Sequence, residues 1–180
     1  MTILLISGST RAASTNTAVL RTLLHRAPRR ARLYEGLADL PAFNPDHDPG
    51  DPHGPDRDLL PAPVAGLRAA LAASSAVVFC TPEYAGALPG ALKNLLDWTV
   101  GGAEMPGLAV GWINVASVAA PTGGAAAHAE LRTVLGYVGA HVVDAACRRV
   151  PLARGDITAD GLVADPRLDA AMSAVLDALP

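Results

Sequence analysis

The chain opens with a predicted strand, a polar turn and a helix. Residues 1–16 read MTILLISGSTRAASTN, in which a run of apolar side chains passes into glycine and hydroxyl-bearing residues. An amphipathic segment follows from Thr15, with leucines at helical spacing, and ends before Pro28. Because such a helix buries its apolar face by packing on a sheet, this opening indicates a βα unit.

The same alternation of short aliphatic runs and longer amphipathic ones continues along the chain, as is typical of a parallel sheet covered by helices. Five strands are predicted, at residues 2–7, 31–34, 76–81, 108–117 and 141–148. Helices are predicted to start near Thr15, Val64, Leu88 and Gly124, with a last one over residues 165–179. The sequence therefore predicts an α/β fold in a single domain, residues 1–180.

Composition argues against several classes of protein. Hydrophobic residues make up 51% of the chain and charged residues 17%, which is typical of a protein that buries a substantial core. The net charge of -3, with Lys and Arg scattered, argues against binding a nucleic-acid backbone. There is no apolar run of membrane-spanning length and no signal-peptide pattern after Met1, so a cytoplasmic protein without a membrane partner is expected.

One long segment fits neither a strand nor a helix. Proline and aspartate recur through residues 41–63, which predicts a loop after the second strand. Several of its side chains are of metal-ligating type, namely Asp46, His47, Asp48, Asp51 and His53. Their spacing matches no known metal site, so a solvated loop is the favoured interpretation and no metal is predicted.

The turn after the first strand has the chemistry of an anion site. It joins the carboxyl end of a strand to the N-terminus of a helix, where the helix dipole favours an anion. Ser9 and the guanidinium of Arg11 could bind a phosphate there. The segment lacks the G-x-x-x-x-G-K-[ST] and G-x-G-x-x-G patterns of other nucleotide loops, which leaves a monophosphate such as that of FMN. The simpler alternative, that Ser14 or Thr15 only caps the helix, would not call for Ser9 and Arg11.

A second turn, TPEYAGALPG at residues 81–90, follows the third predicted strand. Its prolines and glycines fix a rigid turn whose backbone groups could face the polar edge of a flat ring. Small residues at positions 85–87 leave room for such a ring. Tyr84 could pack beside the ring or serve as a lid on the core, and composition leaves both open.

Together, the two segments resemble the NADPH-dependent FMN reductase family. The first carries the pattern G-S-T-R-x-x-S-x-N over residues 8–16, and the second reads PEYAGALPGALKNLLDW over residues 82–98. The likeness extends through most of the chain, including L-P-x-F-N-x-D at residues 40–46 and the segment around Gly123.

This resemblance implies a flavodoxin-like, doubly wound three-layer α/β/α fold with five parallel strands in the order 2-1-3-4-5. It implies bound FMN, NADPH or NADH as co-substrate, a quinone, flavin or similar acceptor, and a homodimer or homotetramer. Residues assigned by the resemblance to the FMN phosphate are Ser9, Arg11, Ser14, Thr15 and Asn16. Residues assigned to the surroundings of the isoalloxazine ring are Pro82, Glu83, Tyr84, Ala85, Gly86 and Ser117.

Four positions depart from the family pattern. Alanine stands at positions 85, 87, 119 and 126, where many members have Asn, Ser, Gly and a nearby Arg, respectively. Side-chain contacts to the flavin are therefore expected to be fewer. Trp98 is expected either at a subunit boundary or buried under the fourth strand.

No catalytic residue is predicted, because hydride transfer between a nicotinamide and a flavin requires orientation and polarity from the protein rather than an acid, base or nucleophile. The histidines show no triad or metal spacing, and His128 is expected on a helix surface. Two alternatives to a reductase remain at this stage. One is a flavodoxin-like electron carrier, a class that tends to be more acidic, and the other is a flavin-free structural or regulatory dimer.

Overall fold

The computed structural model of the protein describes residues 1–49 and 60–180, which form five strands and five α-helices. The strands are β1 (Ile3–Ser7), β2 (Ala31–Tyr34), β3 (Ala76–Cys80), β4 (Ala109–Asn114) and β5 (His141–Arg149). The helices are α1 (Thr15–Arg26), α2 (Ala62–Ala72), α3 (Gly90–Asp97), α4 (Ala125–Tyr137) and α5 (Pro166–Ala178). The predicted alternation is confirmed, although β4 ends at Asn114, short of the predicted Ser117, which therefore lies in the following loop.

The strands form one sheet in the order β2-β1-β3-β4-β5, and every pairing is parallel. The predicted strand order is therefore confirmed. In the sheet Ile3 of β1 lies beside Ala31 of β2 and Ala76 of β3. Because β2 lies on one side of β1 and β3, β4 and β5 lie on the other, the strand order reverses between β1 and β3. A ligand crevice is expected at the carboxyl ends of these two strands.

Helices cover both faces of the sheet. Every residue of β1 is buried, with Ile3 and Leu5 in one apolar cluster and Leu4 and Ile6 in the other. The first cluster includes side chains of α1 and α5, and the second includes side chains of α2, α3 and α4. Successive strand residues point to opposite faces, so a strand buried on both sides appears in the sequence as a continuous apolar run.

An irregularity in the sheet explains one of its glycines. The register between β4 and β5 shifts between Val110, opposite Val142, and Trp112, opposite Cys147. The additional β5 residues crowd β4 at this point. A Cβ on Gly111 would lie 2.6 Å from the carbonyl oxygen of Ala146, so the bulge requires glycine there.

The segment after β2 packs on α3. Trp98 is fully buried, and its indole Nε1 donates a hydrogen bond to the Pro41 carbonyl at 2.8 Å. Phe43 packs edge-to-face on the same indole, with ring centroids 5.0 Å apart, and its backbone N–H donates to the side chain of Asn94. Of the two positions expected for Trp98, burial within the chain is the one observed.

The candidate metal ligands of this segment have other surroundings. Asp48 accepts two hydrogen bonds from the guanidinium of Arg68, both at 2.9 Å, in a pair that is almost fully buried. Asp51 and His53 lie outside the described residues. Within the ranges 1–49 and 60–180, no group of three or more His, Cys, Asp or Glu side chains could hold a metal ion. None of the helices in these ranges is long and apolar enough to cross a membrane.

Candidate functional site

A cavity of about 480 Å³ opens at the carboxyl edge of the sheet. Four connections line it: the first turn of α1, residues 81–83 after β3, residues between 115 and 124 after β4, and residues 152–154 after β5. Its volume lies within the range of cofactor and small-molecule sites. The cavity is located where the strand order predicts a ligand crevice.

The cavity brings together residues from both predicted binding segments. Those that line it are Thr15, Asn16, Pro82, Glu83 and Ser117. They lie far apart in the sequence and meet here because β1, β3 and β4 are adjacent and end at the same edge of the sheet. The site therefore combines hydroxyl and amide groups at a helix N-terminus with the rigid turn after β3.

The turn between β1 and α1 and the first residues of α1 line different cavities. Ser9 and Arg11 line a second, smaller one of about 180 Å³, which also includes Arg21 and Tyr34. Ser14 caps α1, since its hydroxyl accepts a hydrogen bond from the Thr17 N–H at 3.3 Å. Ser14 therefore caps α1, while Ser9 and Arg11 lie elsewhere in the turn.

Asn16 accepts a hydrogen bond from the last residue of β3. The buried Cys80 thiol donates to Asn16 Oδ1, with Sγ and Oδ1 3.3 Å apart. Burial raises the pKa of the Cys80 thiol far above neutral pH, so the group stays protonated and remains a donor. With its oxygen engaged by the thiol, the amide of Asn16 can present its N–H groups to a ligand in the cavity.

Glu83 joins two walls of the cavity. Its carboxylate accepts hydrogen bonds from the Thr122 hydroxyl and from the backbone N–H groups of Ala126 and Ala127, the latter two at 3.1 Å. The Thr122 hydrogen bond first, and then those at the N-terminus of α4, hold the pKa of Glu83 below its ordinary value. The arrangement fixes the turn after β3 against the start of α4.

Beyond Glu83 the chain forms a two-residue hairpin. Tyr84 and Ala87 exchange backbone hydrogen bonds of 3.1 and 3.0 Å, and Ala85 and Gly86 between them have φ angles of 51° and 76°. Two consecutive positive φ angles are those of a type I′ turn. Tyr84 is 52% exposed. Tyr84, Ala85 and Gly86 are absent from the cavity lining in the described residues.

The loop after β4 is held by Asn114, a residue that sequence reasoning did not single out. Its amide donates to the Gly123 carbonyl at 2.9 Å, and its Oδ1 accepts from the Ala116 N–H at 2.9 Å. Gly124, at φ 79°, then forms the N-cap of α4. A polar residue at the carboxyl end of an apolar strand was the sequence signal for this role.

His128 lies inside the protein, so the expected helix-surface position was wrong. It is 7% exposed, and its Nδ1 lies 2.7 Å from the Gly124 carbonyl, which identifies Nδ1 as the protonated nitrogen. Burial lowers the pKa of His128. The spacing of His128 with Leu131 and Leu135 places all three on the buried face of α4, a signal that was present in the sequence.

Arg154 is a further residue that sequence reasoning did not identify. It begins a 3₁₀ turn after β5 and lines the larger cavity. Among the described residues that line this cavity, it is the one with a positive charge. The cavity therefore has a cation, contributed by the connection after β5 rather than by the turn after β1.

Comparison with known proteins agrees with this architecture. A quinone reductase of Escherichia coli K12 is 30% identical over 139 residues, which span 76% of this chain and 70% of that protein. An NAD(P)H-dependent FMN reductase of Pseudomonas aeruginosa is 27% identical over 176 residues, covering 97% of this chain and 90% of the relative. Among solved structures, FerB of Paracoccus denitrificans, a flavoenzyme NAD(P)H:(acceptor) oxidoreductase, is 26% identical, with 99% of both chains covered and a TM-score of 0.69.

The family model of the NADPH-dependent FMN reductases matches residues 1–153. This range includes all five strands and the whole of three of the four connections that line the cavity. The chain therefore belongs to the NADPH-dependent FMN reductase family.

Proposed function

We propose that the protein is an FMN-dependent NAD(P)H oxidoreductase that passes electrons to a quinone, a free flavin or a similar small acceptor. The 480 Å³ cavity carries this proposal, because Asn16 and Pro82, one from each family segment, line the same space. Family membership and the quinone reductases among its relatives support the reaction class.

The phosphate of FMN is assigned to the N-terminus of α1. Thr15 and Asn16 line the cavity there and offer hydroxyl and amide donors, and the helix dipole favours an anion. Ser9, Arg11 and Ser14 belong to the turn that precedes α1 and are included in the proposed phosphate set, with Ser9 and Arg11 approaching from the neighbouring smaller cavity. This donor chemistry fits a phosphate monoester, which accepts hydrogen bonds on its non-ester oxygens.

The isoalloxazine ring is assigned to the space between the turn after β3 and the loop after β4. Pro82, Glu83 and Ser117 line this space, and the hairpin of Tyr84, Ala85, Gly86 and Ala87 borders it in sequence. The hydrogen bonds of Glu83 to α4 keep the two walls in register. Bound there, FMN would supply the redox chemistry between a nicotinamide and the acceptor.

The residues of the chain contribute binding and orientation. The carboxylate of Glu83 accepts hydrogen bonds from three donors within the protein. The Cys80 thiol stays protonated, and the buried His128 has a lowered pKa. None of these three groups is poised to exchange a proton with a substrate at neutral pH. This agrees with a reaction that needs a positioned cofactor rather than a protein acid or base.

Turnover separates the reductase from its alternatives. The purified chain is loaded with FMN, freed of excess flavin and mixed with NADPH or NADH and a soluble quinone, and oxidation of the nicotinamide is followed by absorbance. A reductase oxidises the nicotinamide catalytically and reduces the quinone. An electron carrier of the flavodoxin type stays yellow but shows almost no turnover. A chain that is colourless after incubation with excess FMN and removal of the unbound flavin contradicts the proposal and supports the flavin-free alternative.

The phosphate assignment has its own test. Replacing Arg11 by alanine is expected to weaken FMN binding by about 1.5–3 kcal/mol, the range for hydrogen bonds to charged groups, as measured by quenching of flavin fluorescence. Unchanged affinity contradicts the role of Arg11 while leaving the reductase proposal to the turnover assay.

A homodimer or homotetramer in the cytoplasm is also proposed. Large exposed side chains such as Tyr137, at 91% exposure, and Val118, at 83%, support a further chain covering part of this surface. Light scattering after gel filtration measures the mass, and a monomer contradicts the assembly. Microscopy of a fluorescent fusion tests the location.

A further inference from the structure

The connection after β5 brings a charged side chain to the cavity. Leu152, Ala153 and Arg154 line it, and Arg154 is exposed rather than packed in the core. The family model ends at residue 153, so Arg154 lies just outside the matched segment.

This connection lies on the α1 side of the sheet. Val150, Leu152 and Val163 belong to the apolar cluster that contains Val19 and Leu20 of α1. The segment is also joined to α1 directly, because the Val163 N–H donates to the Thr22 hydroxyl at 2.9 Å. Arg154 therefore enters the cavity from the face of the sheet that carries α1.

The backbone that presents Arg154 is fixed by a local turn. The Asp156 carboxylate accepts a hydrogen bond from the Ala153 N–H at 2.7 Å, and the Asp156 N–H donates to the Ala153 carbonyl at 3.2 Å. Asp156 is thus engaged by the turn itself. Within the described ranges Arg154 forms no ion pair, which leaves its guanidinium free to bind a ligand.

The negative charge of a phosphate exceeds the positive charge that the N-terminus of α1 supplies in this cavity. A phosphate monoester carries about -1.5 to -2 at neutral pH. The lining residues Thr15 and Asn16 offer neutral donors and a helix dipole equivalent to about half a charge. Arg11 lines the smaller neighbouring cavity, whereas Arg154 lines the same cavity as Thr15 and Asn16.

We propose that Arg154 binds the phosphate of the flavin and is a specificity-determining residue for FMN over riboflavin. The inference rests on the proposed function, in which the phosphate lies at the N-terminus of α1. A guanidinium forms hydrogen bonds to two phosphate oxygens at once, so it favours the phosphorylated flavin strongly and discriminates poorly among uncharged ones.

The test compares two flavins on the full chain. Affinities for FMN and for riboflavin are measured by fluorescence titration of the wild type, Arg154→Gln, Arg154→Lys and Arg29→Gln. Arg29 is exposed in the turn before β2, at the opposite edge of the sheet, so its replacement removes the same charge away from the cavity. Thermal denaturation of each variant establishes that it is folded.

Arg154→Gln is expected to weaken FMN binding about ten-fold and to change riboflavin binding less than about two-fold, which lowers the preference for FMN by nearly the same factor. Arg154→Lys should retain part of the preference, and Arg29→Gln should retain all of it. An unchanged ratio of the two affinities overturns the inference, as does an equal loss for both flavins, which would indicate a structural role. A wild type that binds neither flavin refutes the proposed function as well.

Discussion

The hairpin beside the cavity contains one residue in a conformation that its side chain disfavours. Ala85 has a φ of 51° at the first central position of a type I′ turn. A Cβ in the left-handed region costs about 1–2 kcal/mol, because it approaches the following carbonyl oxygen. Asparagine adopts this region more readily than alanine, and glycine adopts it freely.

Replacing Ala85 by asparagine is therefore expected to stabilise the protein by about 1 kcal/mol, which raises the Tm of a chain of this length by about 2–4 °C. The position is exposed, so the new side chain enters solvent. Ala85→Gly should stabilise less, because glycine loses about 0.5–1 kcal/mol more conformational freedom on folding. Gly86→Ala should destabilise by about 1 kcal/mol, because the φ of 76° disfavours a residue with a Cβ. The cost comes from the backbone conformation alone, since in the described structure a Cβ there meets no atom within 4 Å.

Thermal and urea denaturation followed by circular dichroism measure these differences. The matched control is Ala129→Gly, the same exchange at an exposed site inside α4, where it should cost about 1 kcal/mol. The two Ala→Gly variants are thus expected to change stability in opposite directions. A lower Tm for Ala85→Asn, or equal losses in the two glycine variants, refutes the reasoning.

Three further outcomes follow from the contacts around the site. Because the pKa of Glu83 is lowered in the folded protein, its contribution to stability is present above the ordinary glutamate pKa and is lost as the pH falls through the folded pKa. The difference in Tm between wild type and Glu83→Gln should therefore shrink below about pH 4. A difference that stays constant with pH contradicts this. Gly111→Ala is expected to destabilise by about 1–3 kcal/mol in urea, since its Cβ would overlap the carbonyl of Ala146, and a loss within experimental error shows that the bulge can relax. Cys80→Val removes the donor to Asn16 and should weaken FMN binding by about 1 kcal/mol in a fluorescence titration. Cys80→Ser keeps a donor and should retain most of the affinity. Equal FMN affinities in the two variants exclude the hydrogen bond as the cause.

Of the side chains around the site that were missed or misplaced, one could have been placed from local pattern and two could not. His128 was expected on a helix surface, although its spacing with Leu131 already placed it on the buried face of α4. Arg154 lies outside both recognised segments, and its approach to the cavity depends on how the connection after β5 packs against α1. The resemblance assigned Glu83 to the surroundings of the ring. In the structure its carboxylate accepts hydrogen bonds from the N-terminus of α4, where Ala126 lies 43 residues further along the chain.

By itself, the sequence determined the order of strands and helices along the chain, the parallel sheet and two of the four connections that line the cavity. These features depend on hydrophobic periodicity and turn chemistry, which operate over short stretches of chain. Only the tertiary structure decided that Arg11 and Arg154 line different cavities and that Cys80 orients Asn16. The physical reason is that these contacts join residues distant in sequence, and their geometry is set by the packing of whole elements on the sheet.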